Sequence, residues 1–178
     1  MDLLANNFQW MTINVLLAVV PLFLTALFIK ENKKWVGVII FILWLLFVPN
    51  TIYLLTDIEY LPRQFSNSNF IFDITLLLQY LTLIILGIYT YLTSMRPIAK
   101  LIKNPNLIII PFNFFIAFGV AIGKIQRTES WDVIFNPTRV ITDINTTLNS
   151  PALILFVILF GILINFIWIS SVTFNDKR

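Results

Sequence analysis

Apolar residues run along this chain in five long stretches, separated by short polar connections. A membrane-spanning helix takes about 20 largely apolar residues. The stretches Met11 to Ile29, Trp35 to Leu55, Phe70 to Thr93, Leu107 to Gly123 and Pro151 to Thr173 come up to that requirement. Pro21 is tolerated inside the first where neighbours re-satisfy the carbonyl it frees, and Pro49 interrupts the second. The connections are then Lys30 to Lys34, Thr56 to Asn69, Ser94 to Asn106 and Lys124 to Ser150. In the last of these, Asn136-Pro137 reads as a helix cap with proline at the first turn. Val140, Ile141, Ile144 and Leu148 follow at helical spacing, with Arg139, Asp143 and Asn145 among them. That pattern predicts a short interfacial amphipathic helix near 137–148. The expectation is an all-α, polytopic membrane helix bundle of five transmembrane helices, forming a single domain over residues 1–178.

Composition agrees. Of 178 residues, 58% are apolar and 12% charged, whereas soluble domains are nearer a quarter charged. A chain this apolar has too little polar surface to cover a soluble core, and it is equally far from the composition of disordered segments. With no cysteine there is no thiol nucleophile, disulfide or thiolate metal site. With no histidine the commonest general base and zinc ligand are missing as well. No metal site and no cofactor is expected.

The charges sort by side. Lys30, Lys33, Lys34, Arg96, Lys100, Lys103, Lys177 and Arg178 fall on one side with Glu31 and Asp176. Arg63, Lys124, Arg127 and Arg139 fall on the other with Asp2, Asp57, Glu59, Asp73, Glu129, Asp132 and Asp143. Under the positive-inside rule the N-terminus is outside and the C-terminus cytoplasmic. The net charge of +3 is then mostly a cytoplasmic rim facing anionic headgroups, with no indication of nucleic acid.

Polar variety concentrates on the expected outer side. Asn50, Tyr53 and Asp57 follow Pro49 at spacings that one continuous helix would place on a single face. The structural alternative has Pro49 and Asn50 bending and mending the helix, Tyr53 as a belt residue and Asp57 in solvent. Asp73 lies one turn inside the third stretch, level with Asp57, and Gln79 near the bilayer middle is expected to face other helices. Gly119 and Gly123 form a small-xxx-small pattern directly before Lys124, Arg127, Glu129, Trp131 and Asp132. Lys124 and Arg127 are placed to pair with the carboxylates, although snorkelling accounts for Lys124 equally well.

Two stretches, Trp44 to Asp57 and Phe118 to Asp132 continuing to Asn136-Pro137, resemble a family of bacterial membrane proteins catalogued as domain of unknown function 1361. The resemblance falls on Pro49, Asn50, Tyr53, Thr56 and Asp57, on Asp73, and on Gly119, Gly123, Lys124, Arg127, Ser130, Trp131 and Asp132. It extends from about Trp35 to Asn149 and implies a shared outer-face site without an established activity. This chain has Lys124 where the family usually shows arginine, and Tyr60 where it often carries histidine.

The candidate ligand-binding set is therefore Asn50, Tyr53, Asp57, Asp73, Lys124, Arg127, Trp131 and Asp132. The preferred expectation is a binding or accessory component of the cell envelope, in a bacterial-type cytoplasmic membrane, that recognises a lipid headgroup, small ligand or partner membrane protein. The first alternative is a membrane-embedded enzyme on a lipid-linked substrate, with Asp57 and Asp73 as catalytic candidates. The second is a transporter or transporter subunit, suggested by broken helices and intramembrane polar residues.

Overall fold

The structure is a computed structural model describing residues 2–65 and 70–175, without the side chains of Asp2, Phe174 and Asn175. The charges assigned above to Asp2, Asp176, Lys177 and Arg178, and residues 66–69 of the second connection, lie outside what it describes. Every regular element among the described residues is helical. Among the described residues five helices are long and apolar enough to cross a membrane: Leu3–Lys30, Lys34–Gln64, Phe70–Ala99, Pro105–Gln126 and Pro151–Thr173. The chain divides into two compact units, residues 1–94 and 95–178.

The first unit contains α1 (Asp2–Lys30), a broken second span, and most of α5 (Phe70–Ala99). The second span is α2 (Lys34–Phe47), α3 (Pro49–Tyr53), a 3₁₀-helix (Leu54–Tyr60) and α4 (Leu61–Gln64). Asn7 meets Gln64 and Asn14 meets Asp57, so α1 and the second span are antiparallel. Trp44 meets Ser94 and Gln64 meets Tyr80, so α5 runs antiparallel to the second span too.

α1 shows why these elements sit in a membrane. Asn7, Met11, Ala18 and Thr25 recur at three- and four-residue multiples and are buried, whereas Phe8, Ile13, Leu16, Phe23 and Leu27 are exposed. A soluble helix hides its apolar face in this way and shows its amides to water; here the amides of Asn7 and Asn14 meet partners on the second span while large apolar side chains face outward. The inward amides and hydroxyls are bonded. Thr25 and the Trp44 indole both reach Ser94 Oγ, at 3.2 and 2.7 Å. Elsewhere in the unit Met11, Ala18, Leu54, Leu61, Leu76, Tyr80 and Leu83 form an apolar core, with the Trp10 ring edge-on to Tyr60 at 5.9 Å.

Two expected connections are corrected. Thr56 to Gln64 is helical and belongs to the second span, and α5 continues past Thr93 and Ser94 to Ala99. Asp57 and Gln64 are bonded to side chains of α1, and Thr56 donates to the Tyr53 carbonyl. Gln79 faces α1 as expected, its amide 3.4 Å from the Leu4 carbonyl.

In the second unit α6 (Pro105–Ala121) packs against α9 (Pro151–Asn175). Trp168 donates to Asn106 at 3.0 Å and Asn113 to Asn165 at 2.8 Å, which makes the pair antiparallel. Pro111 removes one helical donor from α6, and Asn165 donates at 3.2 Å to the neighbouring Ile110 carbonyl. Between the two spans, α6 runs into a π-helical turn (Ile122–Gln126), then α7 (Asp132–Phe135) and α8 (Pro137–Leu148). The bounds of α8 match the interfacial helix expected from the sequence. Asn136 precedes it, but its side chain makes no cap; the amide donates to Asp132 Oδ1 at 3.0 Å.

Candidate functional site

The eight candidate residues divide between the two units. Asn50, Tyr53, Asp57 and Asp73 belong to the first; Lys124, Arg127, Trp131 and Asp132 belong to the second.

Asn50 and Tyr53 stand one α-turn apart on α3, both half-buried. Asp57 lies in the 3₁₀ segment, which advances about 120° per residue against about 100° in an α-helix. Relative to Tyr53 it is therefore turned roughly 80° further round than a continuous helix would place it, and the single face expected for the three residues is broken. The structural alternative, with Asp57 in solvent, is corrected as well. It is 1% exposed and accepts a hydrogen bond from Asn14 Nδ2 at 3.0 Å. Asp73 is half-buried in the first turn of α5.

Seven residues further along the second span, Gln64 exchanges two amide hydrogen bonds of 2.7 and 3.1 Å with Asn7. Tyr80 donates to Gln64 Oε1 at 3.0 Å and Trp10 to Asn7 Oδ1 at 3.2 Å. Asn7, Asn14 and Gln64 were not candidates on sequence. The available signal was the seven-residue spacing of Asn7 and Asn14, two turns apart on one face of α1.

In the second unit the centre is Arg139, whose place in the sequence is that of one charge on an amphipathic helix. One guanidinium nitrogen donates to the carbonyls of Gln126 and Arg127, at 3.2 and 2.8 Å. These lie at the end of the π turn, where helical carbonyls lack partners and a cation is favoured. The remaining nitrogens face Asp132 and Asp143, each at 3.6 Å. Asp143 also accepts from Thr128 Oγ at 2.5 Å, and Asp132 from the Glu129 N–H at 2.8 Å. Arg139 and Asp143 stand at i, i+4, a spacing visible in the sequence.

This network fixes Arg127. Its backbone is left-handed, with φ 54° and ψ 39°, and it is the one non-glycine residue of positive φ recorded among the described residues. That conformation costs a residue with a Cβ about 1 kcal/mol or more. Arg139 holds the carbonyls on either side of it. The Arg127 side chain is exposed, as is the Trp131 ring four residues on.

Asp132 and Glu129 are shifted in opposite directions. The Asn136 amide and the Glu129 N–H hold the Asp132 carboxyl below its usual range, with a smaller contribution from Arg139. Partial burial pushes Glu129 up, the Asp132 charge adds to this, and Arg139 offsets part of it. A depressed Asp132 contributes stability that is complete above the unfolded carboxylate range and is lost as pH falls through its folded value. Glu129 has the reverse sign, favouring the folded segment once protonated. Lowering pH from neutral is therefore expected to leave amide protection at Glu129 and Asn136 unchanged or raised at first. Protection should then collapse below about pH 4. Hydrogen exchange, corrected for intrinsic rates, tests this; an Asp132→Asn variant showing the same low-pH collapse would rule out Asp132 as its origin.

Among the described residues no group of three or more Asp or Glu side chains is placed to hold a metal ion.

Inward amides, outward hydrocarbon and five long apolar helices define a multi-pass helical membrane protein. The chain belongs to the family described as protein of unknown function DUF1361, which matches residues 13–167 and so takes in both motif stretches. Neither the curated proteins nor the solved structures give a match.

Proposed function

We propose that this protein is a binding or accessory component of the cell envelope. Its 122–148 segment recognises a phosphate-bearing lipid headgroup, or a small phosphate ligand, at the extracytoplasmic membrane surface. The sidedness rests on the excess of basic residues in the other connections. The observation that supports the recognition most directly is the display of Arg127. Its neighbour Arg139 is committed to two carboxylates and two carbonyls, while Arg127 is held in an unfavourable backbone conformation with its guanidinium exposed. A planar guanidinium displayed at an interface is suited to bidentate phosphate binding. The exposed apolar residues Trp131, Ile134, Phe135 and Ile141 on the same segment suit the headgroup boundary.

Native mass spectrometry of the purified protein with phosphatidylglycerol, and separately with inorganic phosphate, tests this reading. Arg127→Gln should weaken retention of phosphatidylglycerol by roughly tenfold or more, the range for a lost charged hydrogen-bonding group. Gln9→Ala, at an exposed uncharged position on α1, should leave it intact. Competition by inorganic phosphate would identify a small phosphate as the ligand. Equal binding by the parent and the Arg127→Gln variant would overturn the proposal.

Enzymatic acid–base work by Asp57 and Asp73 draws less support. Asp57 is almost wholly enclosed and hydrogen-bonded to an amide, so bulk substrate does not reach it in this conformation.

A further inference from the structure

The 3₁₀ segment of the second span is longer than such helices usually are. It runs for seven residues, Leu54–Tyr60, whereas runs beyond three or four are uncommon because the hydrogen-bond geometry is poorer than in an α-helix. Two prolines bracket it. Pro49 releases the helix upstream, and Pro62 has no N–H to give the Ile58 carbonyl, which takes the Leu61 N–H instead. Neither proline forbids an α-helix between them. From Ile58 to Leu61, each amide N–H could reach the carbonyl four residues back.

Side chains hold the segment in the less favoured form. Asn14 donates to Asp57 at 3.0 Å in its middle. At its far end Gln64 is held by the paired bonds with Asn7, 2.7 and 3.1 Å, and by the Tyr80 hydroxyl at 3.0 Å. The opposite side is open, with Ile58 45% exposed. Conversion to α-helix would turn Asp57 back by about 80° relative to Tyr53 and shorten the span by about 3.5 Å, from the differences in rotation and rise. The Asn14 and Gln64 bonds would break.

We propose that residues 54–60 are a two-state hinge. In the 3₁₀ form Asp57 is held on Asn14; in the α form it is turned off Asn14, and the span beyond it is drawn inward. The Asn7–Gln64–Tyr80 clasp and the Asn14 bond set the balance between the two. The device is independent of the headgroup reading given for Arg127.

Because the chain has no cysteine, spin labels can be placed cleanly at Trp35→Cys and Arg63→Cys, both exposed positions on either side of the hinge. Double electron–electron resonance in nanodiscs should show a major component in the parent. Adding Gln64→Leu or Asn14→Leu should shift population to a component shorter by about 3.5 Å. An unchanged single distance in both variants would overturn the hinge. Hydrogen exchange on the unaltered protein gives a second measurement that does not depend on the variants folding. Each amide must leave one carbonyl to reach the next, so residues 54–60 should exchange together and faster than Lys34–Phe47; equal protection would overturn the proposal as well.

Discussion

Gly87→Leu is expected to destabilise the first unit by about 3 kcal/mol or more, because a branched side chain there has nowhere to go. A Cβ on Gly87 would stand 3.1 Å from the Thr51 carbonyl oxygen, 3.1 Å from Leu54 Cβ and 2.7 Å from a Leu55 methyl. The methyl can swing aside. The carbonyl belongs to the backbone of α3, and the Leu54 Cβ is rigidly attached to that of the 3₁₀ segment, so relieving them means moving the span. Gly87→Ala is a milder case, since alanine recovers about 1 kcal/mol of helix propensity that offsets part of the crowding. Gly37 supplies the control: its nearest outside atom is a Phe28 ring carbon at 3.9 Å, so Gly37→Leu should cost little. Reversible unfolding in mixed detergent micelles measures all three. If Gly87→Leu and Gly37→Leu unfold alike, the close packing of α5 on the broken span is wrong.

The contact at Gly87 illustrates what hydropathy does and does not show. The apolar runs located all five spans, because about 20 apolar residues is a length only a membrane readily accommodates. Their ends were harder to place. Asn7, Thr56, Asp57 and Gln64 looked like chain leaving the membrane, since an unpaired amide or carboxylate is costly there. Each of Asn7, Asp57 and Gln64 has a partner from another helix, and a one-dimensional average cannot see pairing between positions 43 or 57 residues apart. Pro49 signalled the break in the second span. The 3₁₀ path beyond it needed Pro62 and the side-chain bonds as well.

The candidate residues were legible by kind and less so by role. Asp132 stands in a charged stretch of the sequence and is buried, with Arg139 as its cation. Arg127 and Lys124 drew attention because they directly follow an apolar run. Arg139 sits on a helix whose period already explained it as a solvated charge. Its position over the Gln126 and Arg127 carbonyls depends on how the chain turns between Gln126 and Pro137, and a left-handed arginine leaves no periodic trace in the sequence.

Arg139→Ala should therefore have the largest effect of any substitution in the 122–148 segment, although Arg139 is itself half-exposed. The change removes both hydrogen bonds to the Gln126 and Arg127 carbonyls, and it leaves Asp132 and Asp143 without the cation between them. Without those bonds nothing on Arg139 compensates the left-handed conformation of Arg127, whose backbone should relax to the right-handed region. Amide exchange from Arg127 to Asp143 should accelerate by about tenfold or more, the scale set by losing charged hydrogen bonds. Arg139→Lys keeps the charge without the planar fork and should fall between parent and alanine variant. Adding Asp143→Asn to Arg139→Ala should recover part of the loss by removing one of two like charges. On the reading proposed for Arg127, phosphatidylglycerol retention should fall with Arg139→Ala even though Arg127 is unaltered. Accelerated exchange with unchanged lipid retention would separate the two roles, leaving Arg139 as a clamp on this segment and removing pre-organisation from the account of binding.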